Sequence, residues 1–173
     1  SPTASLQSLM TTLTTDAMES RDVMCADAPN AFMQAKMPRT TDHNERTIVK
    51  IAGVSADILV NMSPDACEGF AAHEKGTKAS HMDALCAMHG TSVAALAWHK
   101  KFKAELEEQG FKFNTCDPCV ATRTTNGKQH ATRFHADNMS SSHEDPKVND
   151  EFSEWLNKQH GEHGEASCTR GKK

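Results

Sequence analysis

The sequence lacks several features that would place it at once in a large class of proteins. No segment approaches the roughly 20 consecutive apolar residues of a membrane-spanning helix, and the Ser/Thr-rich start lacks the charged-then-apolar pattern of a secretory signal. The net charge is −4, so there is no overall basic excess of the kind that usually accompanies nucleic-acid binding. Tyrosine is absent altogether. A cytoplasmic or nuclear globular protein is therefore the default expectation.

The six cysteines are scattered along the chain. Several lie in apolar segments, where a thiol packs as a small hydrophobic side chain, so we expect reduced thiols. The length of 173 residues and the hydrophobic content of 37% suit one domain with a modest core, or a piece of a longer protein. The start without Met and the end on Thr-Arg-Gly-Lys-Lys predict a fragment, with 160–173 as a frayed C-terminal end.

Local patterns predict a mixed order of helices and strands. Apolar residues at helical spacing predict one helix over 5–20 and another over 146–159, where Pro146 suits the first turn. The dipeptide Asn126-Gly127 predicts a type I′ hairpin, because both central residues of that turn need positive φ. The other predicted elements are strands at 23–26 and 47–52, helices at 54–62 and from Pro64, a turn at 74–77, and a long helix ending at Gly110.

Two aspartates, Asp27 and Asp137, each follow a short apolar run that is typical of a strand. The Ala28-Pro29 break places Asp27 at the C-terminal end of its strand. Taken singly, such an aspartate is more often a turn or capping residue than a ligand. If the fold brings the two carboxylates together, they form a hard, oxygen-only site suited to magnesium and to phosphoryl transfer. The prediction therefore depends on their meeting in space.

Four short motifs occur along the chain in a fixed order. They are Asp27–Gln34 (DAPNAFMQ), Ala87–Gly90 (AMHG) followed by Trp98–Phe102, Leu106–Phe111 (LEEQGF) with Asp117-Pro118-Cys119, and His135–Asn138 (HADN). Together they resemble the reverse transcriptase domain of copia-type retrotransposons, from about Leu6 to the C-terminus. The last motif is similar to the family's Tyr-Val-Asp-Asp. Each motif is weak alone, but their order and spacing make the resemblance specific.

The resemblance implies an α+β fold, a polymerase palm in which an antiparallel sheet packs on helices, with part of the fingers, as a single domain over 1–173. A primer 3′-hydroxyl would attack the α-phosphate of an incoming deoxynucleotide. Two magnesium ions, or manganese in their place, would carry this chemistry. The residues that match are Asp27, Asp137 and the backbone carbonyl of Ala28 as metal ligands, Asn138 as a further member of the catalytic set, and Phe32, Gln34, Ala28 and Gly90 as substrate contacts.

The same resemblance implies the partners of the chain. These are an RNA or DNA template with its primer, deoxynucleoside triphosphates, and the rest of a retrotransposon polyprotein with integrase and ribonuclease H segments, but no membrane. The setting would be a cytoplasmic virus-like particle, and also the nucleus. Phe32 matches the bulky ring that lies under the nucleotide sugar and excludes a 2′-hydroxyl, so deoxynucleotides would be the favoured substrate.

Three departures from the family pattern stand out. Asn138 replaces the family's second aspartate, which keeps the shape but removes a negative charge, so we expect weaker magnesium binding. The stretch Ser92–Leu96 lacks the family's Lys-Gln-Ala/Ser-Pro-Arg, which helps to hold nucleotide and template. Histidine or cysteine, each one transition from a tyrosine codon, occupies positions where the family commonly has tyrosine: His89, His99, Cys116 and His135. We therefore expect a degenerate copy that retains the fold of the family but has reduced activity.

A rival prediction comes from Cys116-x2-Cys119 followed by His130-x4-His135, whose ligand types and spacing approach a zinc finger. That reading makes the segment a structural zinc module that could contact nucleic acid. Against it, the predicted hairpin at 126–127 occupies the place where the helix of the finger must begin. A non-catalytic relic that folds and binds little is the remaining alternative.

Overall fold

The computed structural model describes residues 3–37, 47–67, 69–74, 76–91, 93–161 and 167–170, with only the backbone at 66, 71, 73, 74 and 167–170. In chain order the elements are α1 (Leu6–Met18), β1 (Asp22–Asp27), a 3₁₀ helix (Ala31–Gln34), β2 (Ile48–Ala52), α2 (Val54–Met62), α3 (Pro64–Cys67), β3 (Ala71–Glu74), β4 (Thr77–Asp83), α4 (Ala94–Glu108), β5 (Lys112–Phe113), β6 (Val120–Thr125), β7 (Lys128–His135), β8 (Asn138–His143), α5 (Pro146–His160) and β9 (Ser167–Arg170). Each of these strands pairs antiparallel with its neighbours. The predicted α+β class with antiparallel sheets is confirmed.

The chain divides into two compact units. The larger unit combines Ser1–Ala35 with Ala87–Lys173 and contains a six-stranded sheet in the order β5-β6-β7-β8-β1-β9. The smaller unit, Lys36–Cys86, contains a three-stranded sheet in the order β2-β4-β3. All the residues that the sequence marks as metal ligands or substrate contacts belong to the larger unit.

The core of the larger unit lies between its sheet and two long helices, α4 and α5. Each helix carries large apolar side chains at i, i+4 and i+8, so each turns one apolar stripe inward. These side chains are at most 2% exposed: Trp98, Phe102 and Leu106 on α4, and Val148, Phe152 and Leu156 on α5. The Phe102 ring meets Phe134 of β7 edge to face, with centroids 5.2 Å apart. Burying each such side chain contributes about 1.5–3 kcal/mol.

The opposite face of the same sheet contacts α1. Asp16 of this helix forms an ion pair with Arg133 of β7, with 3.0 Å between Oδ2 and Nη1, and both side chains are almost fully buried. Because successive residues of a strand point to opposite faces, Arg133 reaches α1 while Phe134 packs under α4. Removing one partner of a buried ion pair costs about 3–5 kcal/mol, since the other charge is left uncompensated. The pair therefore fixes α1 to the sheet.

Several local predictions are confirmed in the larger unit. Asn126 and Gly127 join β6 to β7 with φ of +54° and +76°, as a type I′ turn requires. The predicted N-terminal helix is α1, whose N-cap Ser5 accepts a hydrogen bond from the Ser8 N–H at 3.1 Å. The predicted helix at 146–159 is α5, and Asp145 caps it by accepting a hydrogen bond from the Lys147 N–H. These signals are local, so the sequence alone sufficed.

The smaller unit has a much thinner core. Its buried side chains are small, among them Ala56, Cys67, Ala79 and Ser80. Six of its large apolar side chains are more than half exposed: Ile48, Val54, Ile58, Met62, Phe70 and Leu85. The predicted turn at 74–77 joins β3 to β4, where Gly76 has a φ of +79°, and Lys75 lies outside the described residues.

The thiols of Cys25, Cys67, Cys86, Cys116 and Cys119 are free, as expected, and the side chain of Cys168 lies outside the described residues. Within the described ranges, no helix has the length and apolar character needed to cross a bilayer.

Candidate functional site

The register of β1 and β8 brings the predicted catalytic residues together. Asp27, the last residue of β1, pairs directly with Asn138, the first residue of β8. Directly opposed residues in an antiparallel pair share one face of the sheet, with Cβ atoms about 4.5–5.5 Å apart. Residues that are distant in sequence thus meet at one corner of the sheet. The magnesium prediction requires Asp27 and Asp137 to lie together, and this register places Asp137 one residue before the partner of Asp27.

Asp137 belongs to the same corner. His135 pairs with Asn138, so Ala136 and Asp137 form a two-residue turn between β7 and β8. The N–H of Ala28 donates to the backbone carbonyl of Asp137 at 3.1 Å, which links the chain just after Asp27 to this turn. The Asn138 amide donates to the Asp137 carboxylate at 3.2 Å. Asp27 and Asn138 are exposed and Asp137 is half-buried, so solvent reaches all three.

The β7–β8 turn has an unusual backbone. Ala136 has a φ of +57°, while Asp137 is not among the residues with positive φ. Positive φ is common for glycine and rare for alanine, which has a Cβ atom. An L-residue in the left-handed region costs roughly 1–2 kcal/mol. The turn next to the paired acids is therefore strained, and other contacts must offset that strain.

A cavity of about 350 Å³ opens beside the paired residues. Ligand sites of small molecules start at roughly this size. Three strands of the sheet contribute side chains to its wall, each at positions i and i+2, as expected for one face of a sheet. These are Cys25 and Asp27 of β1, Arg133 and His135 of β7, and Asn138 and Ser140 of β8.

Two of the predicted substrate contacts lie next to each other. The Phe32 ring packs against the His89 ring with centroids 4.8 Å apart, and Gly90 follows His89 with a φ of +87°. The structure thus places the first motif and the second motif side by side. A glycine is needed at 90 because other residues rarely adopt that backbone conformation.

Gln34 and Ala28, the other predicted substrate contacts, are engaged within the fold. The Gln34 amide nitrogen donates to the carbonyls of Pro29 and His160 at 2.8 and 3.1 Å. Its amide oxygen lies 2.7 Å from Nδ1 of His160. Ala28 is 3% exposed. Gln34 therefore ties the chain after β1 to the end of α5, and its polar atoms already have partners.

We call Asp27, Asp137 and Asn138 the acidic corner. Their side chains have the oxygen donors of a weak divalent-cation site. Across the described ranges, no three His, Cys, Asp or Glu side chains lie close enough together to hold a metal ion. The Asn138 amide contacts the Asp137 carboxylate, and the Asn138 backbone pairs with Asp27. Asn138 supplies no carboxylate at the position where the resembled reverse transcriptases have an acid. Carboxylate oxygens are the hard ligands that magnesium prefers, but the lost charge lowers the expected affinity. The oxygen atoms of these residues suit a divalent cation, with one carboxylate fewer than in the resembled reverse transcriptases.

The four candidate zinc ligands do not form a site. His130 and His135 are separated by an odd number of positions along β7, so they point to opposite faces. The His130 ring is buried, and each of its two nitrogens has a hydrogen-bond partner. Nδ1 accepts from Arg123 Nε at 3.1 Å, and Nε2 lies 2.6 Å from Ser141 Oγ. Burial, and then the charge of Asp117, raise the pKa of Cys119 to about 11. A zinc ligand must be a thiolate, so the zinc alternative lacks support here.

Comparison of the chain with known protein families, with curated proteins and with solved structures finds no match in any of the three. The function must therefore be argued from the motifs and from the geometry of this corner of the sheet. The departure at Ser92–Leu96 is seen only in part, because Ser92 lies outside the described residues and Val93 precedes α4 as its N-cap.

Sequence reasoning missed several residues at this corner. Trp98 reads as a packing residue from its helical spacing, yet its indole N–H donates to the Ala136 carbonyl at 2.8 Å. Cys25 and Arg133 reach the cavity because each lies two positions before a residue of the corner, Asp27 or His135. That period of two was available in the sequence for both strands. The contact of Trp98 was not, because it depends on how α4 packs under the turn.

Proposed function

We propose that this chain is the palm, with part of the fingers, of an RNA-directed DNA polymerase of the copia retrotransposon type, in a degenerate copy with reduced activity. The observation that carries the proposal is the pairing of Asp27 with Asn138, with Asp137 on the adjoining turn. The side-by-side position of Phe32 and His89-Gly90 supports it independently. Both meetings join motifs that the resemblance relates to one catalytic site.

The residues of the corner have distinct roles in this proposal. Asp27 and Asp137 would hold the divalent cation through their carboxylate oxygens, with the Ala28 carbonyl as a further oxygen ligand. Bound magnesium would activate the primer 3′-hydroxyl and neutralise charge on the triphosphate. Asn138 orients the Asp137 carboxylate through its amide hydrogen bond but adds no negative charge. The expected result is a site of correct shape and low cation affinity.

Substrate selection would come from the neighbouring contacts. The Phe32 ring, steadied by His89, would lie under the sugar and disfavour a 2′-hydroxyl. Template and primer would need help from elsewhere in a polyprotein, since a chain of net charge −4 attracts phosphates weakly. The proposed partners are thus nucleic acid and deoxynucleoside triphosphates. This chain would supply only part of the contacts that bind template and primer.

The proposal is tested by primer extension on purified protein with deoxynucleotides and magnesium or manganese. We expect weak extension that Asp27→Asn and Asp137→Asn both reduce to background. Asp65→Asn, at an exposed position on α3, is the matched control and should leave extension unchanged. Extension that survives both changes in the corner would show that the catalytic site lies elsewhere.

The degenerate state has its own test. Asn138→Asp restores the acid of the family pattern, so it should raise extension and lower the magnesium concentration needed for half-maximal rate. Robust processive synthesis by the unchanged chain would contradict the decay hypothesis while leaving the polymerase assignment in place.

A further inference from the structure

Trp98 lies beneath the β7–β8 turn with its polar edge directed at the backbone. Its side chain is 1% exposed, and its indole N–H donates to the carbonyl of Ala136 at 2.8 Å. Indole has a single donor and no acceptor, so this contact uses the whole hydrogen-bonding capacity of the side chain. A buried indole N–H needs an acceptor, and here that acceptor is the backbone of the β7–β8 turn.

The acceptor of that bond belongs to the strained residue of the turn. Ala136 has a φ of +57°, and its carbonyl fixes the plane of the peptide that leads into Asp137. The next carbonyl, that of Asp137, accepts from the Ala28 N–H at 3.1 Å. Two consecutive peptide planes are thus held by donors from outside the turn. Together they set the direction in which the Asp137 side chain leaves the backbone.

The cluster around Trp98 also reaches the chain after Asp27. The Trp98 ring meets the buried His160 ring edge to face, with centroids 5.2 Å apart. His160 Nδ1 lies 2.7 Å from Gln34 Oε1, and the Gln34 amide donates to the Pro29 carbonyl at 2.8 Å. One buried cluster therefore contacts the backbone next to both acids.

We propose that Trp98 is a positioning residue for Asp137, which holds the strained turn in the conformation that directs this carboxylate towards Asp27. The inference rests on the proposed function, because a shared cation is what makes the spacing of the two acids matter. It goes beyond that function by giving a buried residue on α4, outside the acidic corner, control over cation affinity.

The test uses Trp98→Phe, which keeps an aromatic ring and removes the N–H donor. We expect the dissociation constant for Mn²⁺, measured by the paramagnetic signal of the free ion, to rise about tenfold, as for other groups that orient a metal ligand. Trp155→Phe is the matched control. Trp155 stacks on Phe152 of its own helix as Trp98 stacks on Phe102, and the change should alter the constant by less than about twofold. An unchanged constant in Trp98→Phe, with loss of binding in Asp137→Asn, would overturn the role of Trp98 alone.

A rescue experiment separates positioning from general loss of packing. Glycine adopts positive φ without strain, so Ala136→Gly should let the turn keep its shape without the indole. We expect Ala136→Gly to recover most of the Mn²⁺ affinity lost in Trp98→Phe. A deficit that persists in the double variant would overturn the proposal, because relaxing the turn cannot repair a packing defect.

A measurement on the unchanged protein covers the case in which Trp98→Phe fails to fold. Hydrogen exchange of the two indole N–H groups can be followed by NMR, with half-buried Trp155 as the internal reference. Exchange of the Trp98 indole should be much the slower of the two. Equal rates would overturn the proposal. If Asp27→Asn and Asp137→Asn both leave Mn²⁺ affinity unchanged, the cation site of the proposed function fails instead, and the role of Trp98 with it.

Discussion

Two hairpins share strand β7, and they obtain their shapes in different ways. At one end of β7, Asn126 and Gly127 both have positive φ, which these residue types adopt readily. At the other end, Ala136 has positive φ although alanine disfavours it, and the turn is held by Trp98 and Ala28. The conformation of the first turn follows from its own two residue types. The second is imposed by contacts from distant parts of the chain.

The comparison shows that the two hairpins differ in backbone strain. The β6–β7 turn joins strands and has no predicted role in chemistry, and its backbone is relaxed. The β7–β8 turn carries Asp137 next to Asp27, and its backbone is strained. A strained backbone conformation persists only where the surrounding contacts hold it in place, and such residues cluster at functional sites. The strained turn is thus an argument for function that is independent of the motif itself.

Low pH should produce the largest loss of stability, and it should act through His130 in the β6–β7 hairpin. Burial first, and then the nearby Arg123 guanidinium, lower the pKa of His130 from 6.5 to about 3. The unfolded chain therefore takes up this proton first, so stability is complete above about pH 6.5 and falls between pH 6.5 and 3, by on the order of 5 kcal/mol. Urea unfolding of the wild type and His130→Phe at several pH values measures this, and the variant should show a flatter pH dependence. His135→Gln, at an exposed position, should keep the wild-type slope, and equal slopes in wild type and His130→Phe would contradict the assignment.

Gly127→Ala tests whether the first turn is as relaxed as its residues suggest. An alanine at a φ of +76° should cost about 1–2 kcal/mol, which makes this turn resemble the β7–β8 turn. The midpoint of urea unfolding should fall without a change in the slope. No loss of stability would mean that the left-handed conformation costs little in this sheet, and the argument from strain at Ala136 would weaken with it.

Asn138→Asp adds a negative charge next to the β7–β8 turn. The new carboxylate would stand directly opposite Asp27, and opposed like charges destabilise a sheet by about 0.5–1 kcal/mol. Thermal unfolding with a chelator should show this loss, and excess magnesium should reverse it more strongly than in the wild type. A melting temperature that does not respond to magnesium in the variant would argue against a shared cation.

Ala136→Gly should have the smallest effect on stability. The change relieves the strain of positive φ but adds backbone freedom to the unfolded chain, so the two terms nearly cancel within about 0.5 kcal/mol. Urea unfolding should give a small gain or no change. A loss above about 1 kcal/mol would indicate that the alanine methyl group makes a packing contribution instead.

Local signals explain what the sequence could predict about this fold. The Asn126-Gly127 turn, the apolar stripe of α5 and the strand end at Asp27 each depend on a few adjacent residues, and each occurs as predicted. Strand β9 was not predicted, because Ser167–Arg170 has no apolar alternation and its conformation depends on pairing with β1. Its place in the sheet could not be found without the tertiary structure.

The same distinction holds for the candidate site. The motif order was enough to select Asp27, Asp137 and Asn138, and the structure brings them to one corner of a sheet. Gln34 was selected by the same matching, yet its amide is engaged by His160 and Pro29. A motif records which residue types occur together, whereas the partner of each side chain is decided by packing. For this reason Trp98 and Gln34 acquire their roles only in three dimensions.

The position of β1 between β8 and β9 has a consequence for how the protein is made. During synthesis β1 leaves the ribosome more than 100 residues before either of its neighbours in the sheet, β8 and β9. Strand pairs that are so distant in sequence close slowly, and an unpaired strand edge invites association with other chains. We therefore expect the nascent chain to depend on chaperones until β8 and β9 have emerged, and the corner that joins Asp27 to Asn138 to be among the last contacts formed.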